Sequence, residues 1–232
     1  MKNKIRYVIP NAITFTSLTC GIVSILLSAS GNLQPAGVLV LTSYILDLFD
    51  GAAARKLRAG TAFGLQLDSL VDMVSLGTAP AVLFFMHMTS RGVPPVWLWI
   101  SAVAIPLAGA YRLARFNLLP PKESGDTDSV GLTISTGGAV LALAVLAELS
   151  QQDSFLPVGV LVGLALGVSV LMVSRIPFPS FFWVFSNWRR NVLLVILFGI
   201  SLQITTLFNA WFFWTNAYLG VSLARAGLRN RR

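Results

Sequence analysis

The chain has 232 residues, 55% of them hydrophobic and only 11% charged, with a formal net charge of +8. A water-soluble domain carries about 25% charged residues, so this composition excludes an ordinary soluble globule and makes lipid the main solvent. The basic excess does not indicate a nucleic-acid partner, because nearly all of it lies between apolar runs, where Lys and Arg orient membrane segments.

Apolar runs of about 20 residues, each able to cross a hydrocarbon core as a helix, recur along the whole length. They predict eight spans at roughly 11–29, 34–54, 65–88, 94–117, 130–149, 155–174, 190–207 and 210–226. The expected fold is an all-α, polytopic membrane helix bundle forming a single domain over residues 1–232. The first run follows Met1-Lys2-Asn3-Lys4 and ends in Ser28-Ala29-Ser30, which imitates a secretory signal but is read as a retained span. It also holds Cys20, the chain's one cysteine, so no intramolecular disulfide is available to staple the fold.

If the N-terminus is cytoplasmic, the cytoplasmic segments collect Lys2, Lys4, Arg6, Arg55, Lys56, Arg58, Lys122, Arg175, Arg189, Arg190 and the basic residues from Arg225 to Arg232, with Arg112 and Arg115 nearby. Arg91 alone falls on the other side. That bias follows the positive-inside rule and predicts a multi-pass cell-membrane protein with both termini in the cytoplasm. His87, at the outer end of the third span, reads as an interfacial residue. Trp97, Trp99, Trp183, Trp188, Trp211 and Trp214 fall mostly near span ends and read as headgroup-level anchors.

The second and third spans carry acids where acids are costly. Asp47 and Asp50 are three apart near the end of one, Asp68 and Asp72 four apart early in the next, so each pair shares a helix face. The short turn between them, 56–63, makes the two helices antiparallel neighbours and brings the four carboxylates to similar depth. Such a group repels itself unless cations neutralise it, and all-oxygen ligands suit Mg²⁺, Mn²⁺ or Ca²⁺. A structural network with Arg55, or the ion path of a cation or proton transporter, is the alternative at this point. Gly51, Ala52, Ala53 and Ala54 leave room for a ligand near the backbone, and Arg55 is placed to face a phosphate.

Residues 47 to 72 read DLFDGAAARKLRAGTAFGLQLDSLVD. This matches D-x2-D-G-x2-A-R-x8-G-x3-D-x3-D at all its fixed positions and resembles the signature of the CDP-alcohol phosphotransferase family. With residue frequencies of about 5–8%, chance gives such a match on the order of once in 10⁹ starting positions. The resemblance implies that Asp47, Asp50, Asp68 and Asp72 hold one or two divalent ions, Mg²⁺ or Mn²⁺ with Ca²⁺ as a bound alternative. It implies further that Asp47, Asp50, Gly51, Ala54, Arg55, Gly64 and Asp68 border a CDP-linked lipid, and that Asp72 is the general base. An active site at the cytoplasmic ends of spans two to four and a homodimer are also implied.

Several stretches resemble the phosphatidylserine synthase branch of that family: Pro10-Asn11 with Thr14, Cys20-Gly21, Leu67-Asp68-Ser69-Leu70 through Val74-Ser75, Ala79-Pro80, Arg112 to Asn117, Met172-Val173-Ser174 and Pro179-Ser180-Phe181. The branch implies CDP-diacylglycerol and L-serine as substrates. Arg112 and Arg115, three apart on one helix face, are candidates for the serine carboxylate, with Arg175 as a third. Ser17 stands where this branch often has Asn, and Val130-Gly131-Leu132-Thr133-Ile134 lacks the prolines common there, so glycerol 3-phosphate or an inositol phosphate is the alternative acceptor.

Overall fold

The computed structural model describes residues 2–57, 61–118, 129–151, 156–178 and 188–229. Among these the architecture is helical: α1 Lys2–Ala29, α2 Leu33–Leu57, α3 Ala62–Asp72, a π-helical turn Met73–Thr78, α4 Ala79–Ser90, α5 Pro95–Asn117, α6 Ile134–Leu149, α7 Val158–Val173, α8 Trp188–Ile204 and α9 Leu207–Arg229. Two-residue strands β1 (Ser129–Val130) and β2 (Pro177–Phe178) pair antiparallel, Ser129 opposite Phe178 and Val130 opposite Pro177.

Each expected span coincides with a helical segment, but the segments are not alike. Four are long and apolar enough to cross a bilayer: Pro10–Ala29, Leu33–Ala52, Ala62–Ser90 and Pro95–Asn117. Ile134–Leu149, Val158–Val173 and Asn191–Ile204 are apolar but shorter. At 16 residues, α6 and α7 reach about 24 Å against a hydrocarbon core of about 30 Å.

The bundle is built around α6. Every residue from Gly137 to Glu148 is buried, in keeping with a stretch that is apolar on all sides until its final acid. It packs against α2, α4, α7, α9 and the π-turn. Close approach needs a small residue at Gly138, where a Cβ would collide with the Leu76 carbonyl oxygen of the π-turn. The third segment runs unbroken from Ala62 to Ser90. Thr61 caps its start by accepting from the Gly64 N–H at 2.9 Å. Within the π-turn, Ser75 donates to the Ser17 carbonyl of α1 at 3.0 Å, and Ser17 and Ser43 exchange hydroxyl-to-carbonyl bonds between α1 and α2.

His87 departs from the interfacial expectation. It is 4% exposed, and its Nε2 lies 3.9 Å from Oε2 of Glu148, which also accepts from Arg91. Glu148 Oε1 takes the Leu156 N–H at 2.8 Å, and Arg91 Nη2 reaches the Leu156 carbonyl at 3.3 Å. The physical reason for burial is this buried carboxylate at the end of α6, which gathers the Arg91 guanidinium and the His87 ring around it. Trp97, Trp99 and Trp188 are exposed, as anchors should be, while Trp211 packs against the core. Trp183 lies outside the described residues.

Candidate active site

The acids do converge. Oxygens of Asp47, Asp50 and Asp68 all lie within 4.8 Å of one another. With Asp72 they line a cavity of about 320 Å³ whose other walls include Gly51, Ser69, Arg112, Phe116, Thr133 and Ser135. The local cause is helical spacing: Asp47 and Asp50 are three apart in α2, Asp68 and Asp72 four apart in α3, so each pair projects from one face.

Asp50 is held from outside its own helix. Thr14 of α1 donates to Asp50 Oδ2 at 3.0 Å while also bonding the Pro10 carbonyl at 2.9 Å. Ser135, in the first turn of α6, lines the same cavity as Asp47 and Asp72. Asp50 and Asp72 are buried, at 6% and 8% exposure. Ser69 and Asn117 bond each other at 3.1 Å, joining α3 to the end of α5. A larger, shallow hollow beside Gln34, Pro35, Val38 and Leu39 offers no ionisable side chain.

The donor set fits a hard divalent cation. Oxygens bound to one Mg²⁺ or Mn²⁺ stand up to about 4.2 Å apart, and to Ca²⁺ about 5 Å, twice the ligand distances of about 2.1 and 2.5 Å. A spread of 4.8 Å at most therefore needs little movement to close on an ion, and Thr14 already orients one of the ligands.

The arginines separate. Arg112 lines the cavity at 8% exposure. It lies near enough to Asp72 and Asp47 to interact with both, and its Nε has no hydrogen-bond partner among the described residues. Arg115 is not on the cavity wall. Its guanidinium bonds the carbonyls of Val130, Val173 and Ser174 at 2.9, 2.9 and 3.1 Å. Arg175 is exposed beyond α7 and also off the wall. Gly64 sits at the α3 cap rather than in the cavity, and the side chains of Ala54 and Arg55 lie outside the described residues.

The model of the CDP-alcohol phosphatidyltransferase family matches residues 7–171. The chain belongs to that family. As a phosphatidyltransferase it is an enzyme, and its four long apolar helices fit a membrane location. Its relatives include the CDP-diacylglycerol–serine O-phosphatidyltransferase of Helicobacter pylori strain J99, 30% identical over 94% of this chain and 91% of that protein. The enzyme of the same name from Bacillus subtilis is 32% identical over 75% of this chain and 90% of that protein. An archaetidylserine synthase of Methanothermobacter thermautotrophicus is 31% identical over 74% and 69%. Membership of this family disfavours the ion-path alternative.

Proposed function

We propose that the enzyme transfers the phosphatidyl group of CDP-diacylglycerol to L-serine, yielding phosphatidylserine and CMP. The carrying observation is one cavity lined by the four signature carboxylates together with a buried, incompletely partnered Arg112. The relatives' names supply the acceptor: several are serine phosphatidyltransferases along most of their length.

In this reading Asp47, Asp50 and Asp68 hold Mg²⁺ or Mn²⁺, with Asp72 able to join. A bound ion neutralises the pyrophosphate and stabilises charge on departing CMP. Gly51 lets the CDP moiety approach the α2 backbone, and Ala54, Arg55 and Gly64 border it as the family signature implies. Arg112 takes the serine carboxylate, leaving the hydroxyl towards the acids. Asp72 accepts the hydroxyl proton as the serine oxygen bonds to the lipid-bearing phosphorus, and the bond from that phosphorus to the CMP oxygen breaks. Arg115 and Arg175 are not needed on the acceptor.

The same reading orients the molecule with both termini cytoplasmic and the cavity at the cytoplasmic ends of α2, α3 and α5, all eight helical segments spanning or lining the bilayer. The basic residues at the ends of these segments support it. Pairing of two copies belongs to the same proposal, and mass measurement in detergent tests it.

Reconstituting purified protein with CDP-diacylglycerol, serine and Mn²⁺ and reading the lipid product by mass spectrometry tests the reaction. Phosphatidylserine that appears with metal and vanishes with a chelator is expected. A product independent of serine refutes the assignment.

A further inference from the structure

Arg115 has an unusual set of partners for an arginine beside a catalytic cavity. Besides Val130, Val173 and Ser174, its Nη2 reaches the Met172 carbonyl at 3.5 Å. Three of these oxygens belong to the end of α7, where carbonyls lack partners within the helix and favour a cation. The fourth belongs to β1, more than forty positions earlier. One guanidinium therefore joins the strap that precedes α6 to the end of α7.

The strap it holds is tightly closed. Gly131 donates to the Ile176 carbonyl at 2.9 Å and Leu132 to the Leu171 carbonyl at 3.0 Å. Gly131 has φ +78°, and a Cβ there would stand 2.7 Å from the Met172 oxygen and 2.8 Å from both Arg115 Nη2 and the Ser174 oxygen. Only glycine fits that conformation and space. Directly after the strap, Thr133 caps α6 by accepting from the Thr136 N–H at 3.2 Å, and Ser135 lines the cavity together with Asp47. The path from the guanidinium to the acid-lined cavity thus passes through a clamped strap and a capped helix start to the Ser135 hydroxyl.

We propose that Arg115 is a positioning residue for the divalent-ion site. By clamping residues 129–132 to the end of α7, it sets the start of α6 so that Ser135 aims the Asp47 carboxylate at Asp50 and Asp68. The inference rests on the reading that these three acids hold the ion. A lysine cannot replace the guanidinium, because a single ammonium on a flexible stem does not span β1 and α7 together.

The test reads Mn²⁺ binding to purified, detergent-solubilised protein without substrate, from the electron paramagnetic resonance signal of the free ion. Wild type, Asp50→Asn, Arg115→Lys, Ser135→Ala and the Arg115→Lys/Ser135→Ala double variant are compared. Arg115→Lys and Ser135→Ala should each raise the dissociation constant about tenfold, the loss expected for an outer partner of a metal ligand. The double variant should be no worse than either alone, because both act through one path. Unchanged Mn²⁺ binding in Ser135→Ala overturns the inference even if Arg115→Lys does not accumulate as folded protein. So do losses that multiply in the double variant, or a raised serine KM in Arg115→Lys with wild-type Mn²⁺ binding. If wild type binds no Mn²⁺, or Asp50→Asn binds as wild type, the ion-site reading itself fails and this inference with it.

Discussion

Replacing Arg112 with Ala isolates the acceptor contact from the metal site. The side chain is 8% exposed, lines the cavity with the acids, and has an Nε without a hydrogen-bond partner among the described residues. Truncating one member of a buried, hydrogen-bonded charge pair costs about 2–5 kcal/mol. At 1.36 kcal/mol per tenfold, the serine KM should rise about 30- to 5,000-fold. The KM for CDP-diacylglycerol should change far less. Mn²⁺ affinity should hold or improve, since a positive charge is removed from beside Asp72 and Asp47. The assay is CMP release at saturating CDP-diacylglycerol over a serine titration, with 2-aminoethanol as a control acceptor that lacks the carboxylate. Arg112→Ala should lose the preference for serine over 2-aminoethanol. Equal increases in both substrate KM values, or an unchanged serine KM, would refute the assignment.

Asp72→Asn removes the proton acceptor with little change of volume, so turnover should fall about 10²- to 10⁴-fold while the protein stays folded by tryptophan fluorescence. Retained turnover would remove Asp72 as base. Thr14→Ala deletes the 3.0 Å bond to Asp50 and should weaken Mn²⁺ binding about tenfold, with the serine KM little changed once metal is saturating. Glu148→Ala leaves Arg91 and His87 around an empty carboxylate position and should cost about 3–5 kcal/mol of stability, read by thermal unfolding in detergent. Because Glu148 sits about 20 Å along α6 from Ser135, the serine KM of the folded variant should stay at the wild-type value.

The acid quartet was legible in sequence because two i, i+3 and i, i+4 pairs joined by a short turn leave few ways to arrange four carboxylates. The helices were legible for the same kind of reason, as period and length of the apolar runs. What spacing could not resolve was rotation. Arg112 and Arg115 differ by about 60° around α5, and only packing decides that the first faces the cavity and the second the carbonyls of α7. Ser135 was missed because nothing in its local sequence ties it to Asp47, 88 positions earlier in the chain, and its role depends on where α6 begins. Thr14 carried a partial signal, as part of the Pro10-Asn11 stretch that resembles the serine branch. Glu148 carried one too, as an acid at the end of an apolar run opposite the isolated Arg91, a pairing that explains His87 better than a membrane interface does.

CMP release from CDP-diacylglycerol by the purified enzyme with Mg²⁺ or Mn²⁺, comparing serine with glycerol 3-phosphate, inositol 1-phosphate and inositol, tests the transfer to serine. Release with serine and with none of the other three is the predicted result. Release with another alcohol in place of serine would contradict the acceptor, and no release with any of them would contradict the phosphatidyl-transfer mechanism built on the acid quartet.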